Sequence, residues 1–274
     1  MKIIVHSLQI IAKIALTILM GFLISFLFQA LLPDSFKYLS QIGMLIGVWI
    51  AYRLFERKRL WPVGFGGEGS WKQLVLGIGI GACTIFLSCA FIWLLGGVQL
   101  TSVQIDVYLL AAILSTIPKW IVVAIVEEGL MRGYIQGLVK ESFGVKASIL
   151  LSSLLFAFIH LFNTGSTESL LPMLFLFLDG LFFGLIKEMT GKLWFPIGAH
   201  FIWNFLQSAL GFAVSGGESG APSLVKVQPI GDAMLSGGAF GAEGSYLTAC
   251  ILLITLFITW KIYRKQNVKA ISSL

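Results

Sequence analysis

The chain alternates between long apolar runs and short polar segments. Eight runs are apolar enough to be candidate membrane spans, and they lie at Ile10–Leu32, Gln41–Phe55, Leu74–Leu95, Val107–Val139, Ala147–Phe162, Leu170–Ile186, Leu193–Phe212 and Tyr246–Tyr263. Most approach the about 20 residues that a membrane-crossing helix needs, and they lack the alternation of a membrane β-strand. The pattern predicts an all-α, polytopic membrane protein of about eight transmembrane helices.

The composition excludes a water-soluble globular protein. Of the 274 residues, 57% are hydrophobic and 12% are charged, whereas soluble domains carry about 25% charged residues. The 22 phenylalanines and 8 tryptophans also exclude an intrinsically disordered chain. No repeat of fixed period and no change in composition marks a second domain, so residues 1–274 are predicted to form one integral-membrane domain.

The basic residues predict the orientation of these spans. With the N-terminus in the cytoplasm, only Lys37 and Lys226 fall in external segments, while Lys119 and Arg132 fall within a span. The remaining 15 of the 19 Lys and Arg residues then lie on the cytoplasmic side, as the positive-inside rule expects. The predicted topology is therefore eight spans in the plasma (cytoplasmic) membrane with both termini in the cytoplasm. Because this basic excess lies beside membrane lipid, it does not indicate nucleic-acid binding.

One predicted external segment stands out by its composition. Ser215 to Ser245 is rich in Gly, Ser and Ala and carries Glu243. Such a composition predicts a flexible loop outside the membrane.

The apolar spans contain a few ionisable side chains, which are costly in lipid and are therefore candidates for function. In the fourth span, Glu128 and Arg132 are four residues apart on one helical face, which predicts an ion pair. Glu127 lies about 100° round the helix and has no partner at that spacing. It is therefore the candidate general base.

Two histidines and an asparagine in other spans extend this set. His160 lies at the end of the fifth span, and His200 and Asn204 share one face of the seventh. A carboxylate with two imidazoles and a carboxamide could activate water and stabilise an oxyanion. Glu127, His160 and His200 could also hold a divalent metal such as zinc. The residues leave open whether a metal cofactor takes part.

Three motifs in chain order carry a family resemblance. Glu127-Glu128-x-x-x-Arg132, Phe156-x-x-x-His160 and His200-x-x-x-Asn204 resemble the motifs of the CPBP family. This family comprises CAAX proteases and bacteriocin-processing enzymes and is related to the type II CAAX prenyl protease. The resemblance covers about residues 118–211, the motif-bearing core of the chain.

The resemblance implies an eight-helix intramembrane endopeptidase acting on a protein or peptide substrate at the membrane. It implies that Glu127 and His160 activate water and that His200 and Asn204 form the oxyanion hole. Glu128 and Arg132 would be a supporting pair.

Two other classes of function remain as alternatives. In a non-enzymatic membrane scaffold or bacteriocin-immunity protein, the same polar groups would only bind a partner. In a proton-coupled transporter, Lys119, Glu127, Glu128 and Asp179 could form a relay, although the inverted repeats of many transporters are not visible. Because Asp179 lies outside the three motifs, the protease interpretation predicts near-normal turnover for Asp179→Asn.

Overall fold

A computed structural model describes residues 2–56, 61–166, 169–217 and 222–272 of the chain. The described residues are mostly helical, and the helices are α1 Lys2–Leu31, α2 Ile42–Phe55, α3 Ser70–Leu94, α4 Val107–Leu114, α5 Ile117–Glu128, α6 Gln136–Ile159, α7 Leu171–Thr190, α8 Trp194–Ala209, α9 Ala233–Ser236 and α10 Tyr246–Ser272. Short 3-10 helices lie at Asp34–Gln41, Gly238–Phe240 and Ala242–Gly244. This mostly helical architecture is the one expected for a membrane protein rich in apolar runs.

The predicted number of eight spans is not confirmed. Five helical stretches of the described chain are long and apolar enough to cross a membrane, at Ile4–Leu31, Asp34–Phe55, Ser70–Leu94, Val107–Ile159 and Tyr246–Lys265. The fourth stretch contains two predicted spans, which a kink at Gly144 with φ of 79° separates. α7 carries three charged residues and α8 has only 16 residues, below the about 20 of a full span.

A small sheet was not predicted from the all-α pattern. Strand β1, Val98–Val103, pairs antiparallel with strand β2, Val225–Pro229, with an irregular register between Leu100 and Ser102. β2, α9 and two 3-10 helices all lie between Ser215 and Ser245. The prediction of a flexible loop is therefore wrong for the described part of this segment, while its residues 218–221 lie outside the described chain.

Glycines bring α3 and α8 close together. A Cβ atom added at Gly77 would overlap the carbonyl oxygen of Phe195, and one added at Gly81 would lie 2.7 Å from that of Ala199. Small residues at such positions let the backbones of membrane helices approach. The contact fixes α8, which carries two of the predicted site residues, against the rest of the protein.

A buried core of aromatic side chains lies between α6, α7 and α8. Phe156, Phe175, Phe182, Phe183 and Phe195 are among its members, and each is less than 10% exposed. Two of these rings, Phe156 and Phe183, contact the polar cluster described next.

Candidate active site

The three sequence motifs meet at one cavity. The cavity has a volume of about 490 Å³ and lies among α3, α5, α6, α7, α8 and α10. Glu127 at the end of α5, His160 just beyond α6, and His200 and Asn204 on α8 all line it. The structure therefore brings together side chains that are up to 77 residues apart in the sequence.

Two imidazoles face the same carboxylate oxygen. Oε2 of Glu127 lies 4.0 Å from Nε2 of His160 and 3.8 Å from Nε2 of His200. These separations are too long for direct hydrogen bonds. The three side chains nevertheless line the same cavity.

The orientation of His160 follows from its own helix. Its Nδ1 lies 2.8 Å from the carbonyl oxygen of Phe156, one turn earlier. Because a carbonyl oxygen only accepts hydrogen bonds, Nδ1 carries the proton and donates. In the neutral ring, Nε2 is therefore free to accept a hydrogen bond from a group in the cavity.

Glu128 lies at the centre of a buried hydrogen-bonding cluster. Its Oε1 accepts from Nη1 of Arg132 at 3.0 Å, so the predicted i, i+4 pair is present. The same oxygen lies 2.9 Å from Nδ1 of His200, a contact that spacing along one helix could not reveal. Because a carboxylate only accepts, Nδ1 of His200 donates to it and Nε2 is directed towards Glu127.

Arg132 lies in a local widening of the helix. Residues Gly129–Ile135 form a π-helical turn between α5 and α6, and such turns are frequent at functional sites. The Arg132 guanidinium lies 4.4 Å from the ring centre of Phe156 and 5.3 Å from that of Phe183. Its side chain is 1% exposed, so the two rings and the nearby carboxylates replace water around the charge.

Asn204 places a carboxamide beside His200. It lies one helical turn further along α8, is 5% exposed, and lines the same cavity. Its amide group can donate hydrogen bonds to a negatively charged oxygen.

Two acidic residues of the cavity were not predicted as part of the site. Glu243 lies in the predicted external segment and accepts from Nε1 of Trp203 at 3.1 Å and from Oγ of Ser215 at 2.7 Å. Burial raises the pKa of its carboxyl group. Asp179 on α7 lines the cavity too, with Oδ2 3.9 Å from Nη2 of Arg132. The only sequence signal for Asp179 was its position as an isolated acid in an apolar run. No sequence signal distinguished Glu243 from an ordinary loop residue.

The three residues considered for a metal site, Glu127, His160 and His200, line one cavity. Across the described ranges, no group of three or more His, Cys, Asp or Glu side chains is arranged to hold a metal ion. Zinc bonds of 2.0–2.2 Å at a tetrahedral angle hold neighbouring ligand atoms about 3.4 Å apart. The Glu127–histidine separations of 3.8 and 4.0 Å are longer than this value, and the metal site stays a prediction from the sequence.

Comparison with known families gives a match over the same part of the chain. Residues 109–206 match the family model described as type II CAAX prenyl endopeptidase Rce1-like. The matched segment contains all six polar motif residues, Glu127, Glu128, Arg132, His160, His200 and Asn204. The match confirms the resemblance to the CAAX protease family. Comparison with curated proteins found no match.

Proposed function

Because residues 109–206 match the Rce1-like family, we propose that this protein is an intramembrane endopeptidase. Its substrates are membrane-associated proteins or peptides, and its surroundings are membrane lipid. The observation that carries the proposal is the approach of two imidazole Nε2 atoms to Oε2 of Glu127 within one cavity. Of these atoms, Oε2 of Glu127 and Nε2 of His160 are acceptors suited to a water molecule.

Water activation follows from the acceptors that surround this space. A water molecule between Glu127 and His160 donates one hydrogen to Oε2 of Glu127 and the other to Nε2 of His160. Its lone pair is then directed into the cavity, where it attacks the carbonyl carbon of the substrate as Glu127 takes the proton. When the C–N bond breaks, the proton on Glu127 passes to the leaving amine nitrogen.

The oxyanion of the tetrahedral intermediate is stabilised from α8. The carboxamide of Asn204 supplies one N–H donor. His200 supplies a second donor from Nε2 when both ring nitrogens carry protons. The Glu128 carboxylate accepts from Nδ1 and holds the ring so that Nε2 faces the cavity.

Glu128 and Arg132 act as supporting residues. The buried carboxylate holds the ring of His200 in one orientation, and the guanidinium compensates the carboxylate charge. Outer partners of this kind fix the direction in which an imidazole presents its free nitrogen.

Mapping of protein N-termini in membranes tests the proposal even when the substrate is unidentified. Cells that contain the wild-type protein should produce new peptide N-termini that are missing from cells containing equal amounts of Glu127→Ala. Identical N-termini in both cells, with the same phenotype, would instead support a scaffold or immunity protein.

A further inference from the structure

Two buried polar atoms of the Glu128–Arg132 pair have no hydrogen-bond partner in the described chain. They are Oε2 of Glu128 and Nη2 of Arg132. An Arg–carboxylate pair commonly forms two parallel hydrogen bonds, which would join these two atoms. Here only the bond between Nη1 and Oε1 is present, which leaves Nη2 available to another acceptor.

Asp179 lies on the side to which the free nitrogen points. Its Oδ2 is 3.9 Å from Nη2 of Arg132, and its side chain is 16% exposed. The rings of Phe156 and Phe183 lie close to the guanidinium. A displacement of the guanidinium towards Asp179 therefore moves Nη2 away from Glu128.

The single hydrogen bond has a consequence for His200. Oε1 of Glu128 accepts from Arg132 and from Nδ1 of His200 at the same time. A guanidinium drawn fully onto Glu128 would neutralise more of the carboxylate charge and so weaken its hydrogen bond to the imidazole. The hydrogen bond that orients His200 therefore depends on a counter-charge on the other side of Arg132.

We propose that Asp179 is a positioning residue for the peptidase reaction, which holds Arg132 between two carboxylates and so preserves the Glu128–His200 hydrogen bond. The inference rests on the proposed function, in which His200 stabilises the oxyanion. It replaces the expectation that Asp179→Asn leaves turnover near normal. Asp179 touches no reacting atom in this scheme, because its effect passes through Arg132 and Glu128.

Steady-state kinetics on the purified full-length protein in lipid vesicles test this role. Asp179→Asn should lower kcat by about 10–100-fold, the usual effect of losing an outer partner, while KM changes less than about two-fold because uniform substrate binding is retained. Glu188→Gln is the matched control, since it removes the same charge from the same helix at a site where Glu188 bonds Gln136 and Lys140. An unchanged kcat for Asp179→Asn, or an equal loss for Glu188→Gln, would overturn the proposal.

A thermal unfolding cycle gives a second readout that needs no peptidase activity. Asp179→Asn should raise the Tm more, or lower it less, in an Arg132→Met protein than in the wild type. In the Arg132→Met protein, Asp179 has lost its cation, so Asp179→Asn there removes an uncompensated negative charge beside Glu128. Equal Tm shifts in the two backgrounds would contradict the Arg132 contact. A wild-type protein without peptidase activity would instead contradict the proposed function. The Tm shifts would still show whether Asp179 interacts with Arg132.

Discussion

Glu128 shows how one side chain can connect a motif on one helix to a motif on another. It is fully buried, and its Oε1 accepts hydrogen bonds from Arg132 and His200. The spacing of four residues made the Arg132 contact predictable from the sequence. The His200 contact could not be predicted, because it depends on how α8 packs against α5.

Removal of Arg132 is expected to destabilise the protein. Arg132→Ala leaves the buried carboxylate of Glu128 without its cation, which costs roughly 3–5 kcal/mol for a fully buried pair. Thermal unfolding of the purified protein in detergent measures the effect. Lys140→Ala is the control, because it breaks a pair with a 44% exposed lysine, which is worth about 0–1 kcal/mol. If Arg132→Ala were as stable as the wild type, the pair would not hold the site together.

Removal of the Asn204 carboxamide is expected to impair the chemical step. Asn204→Ala should lower kcat by about 10²–10³-fold, as the loss of one oxyanion donor does elsewhere. KM should change little, because the donor acts on charge that develops only in the transition state. Steady-state kinetics separate these two effects. A large rise in KM with a normal kcat would show that Asn204 binds substrate instead.

At the level of helices and strands, apolar runs predicted the regular part of the structure well. Each predicted span overlaps a helix. A kink at Gly144 separates the fourth predicted span from the fifth. The π-helical turn at Gly129–Ile135 and the β1–β2 pairing were not predicted. The π-helical turn has the same hydrophobic pattern as the α-helices beside it. The two strands are more than 100 residues apart in the chain. Neither feature leaves a local periodic signal.

The contact between α3 and α8 gives an element-level prediction. Gly77→Val should sharply reduce accumulation and Tm, because any side chain there overlaps the backbone of Phe195. Gly79→Val is the matched control on the same helix, since nothing lies within 4 Å of an added Cβ. Equal accumulation and equal Tm of the two variants would show that the close contact is unimportant.

On the scale of the whole molecule, the cavity is built from elements spread over most of the chain. α3, α5, α7, α8, α10 and the segment around Glu243 all contribute to its lining. The six polar motif residues could be predicted as one cluster because each is a polar group in an apolar run. Glu243 and the Asp179–Arg132 contact could not, because their positions depend on long-range packing of the segment Ser215–Ser245 and of α7.

The charge asymmetry gives a prediction for the whole membrane topology. In a protein whose native cysteines have been replaced, a cysteine at Lys265 should react only with reagents that reach the cytoplasm. A cysteine at Lys226 should react only with external reagents, because β2 lies in a predicted external segment. Labelling of intact cells with a membrane-impermeant maleimide measures both positions. Reaction of Lys265→Cys with the external reagent would contradict the predicted orientation.

Glu127→Gln in the purified protein tests the proposed chemistry most directly. Glutamine keeps the shape of the side chain but cannot take a proton from water, so turnover should fall by at least about 10²-fold. The assay follows cleavage of a library of quenched fluorescent peptides in lipid vesicles, with the exposed Glu68→Gln as the matched control. We expect Glu68→Gln to cleave like the wild type while Glu127→Gln is nearly inactive. Wild-type rates from Glu127→Gln would contradict the assignment of Glu127 as the general base.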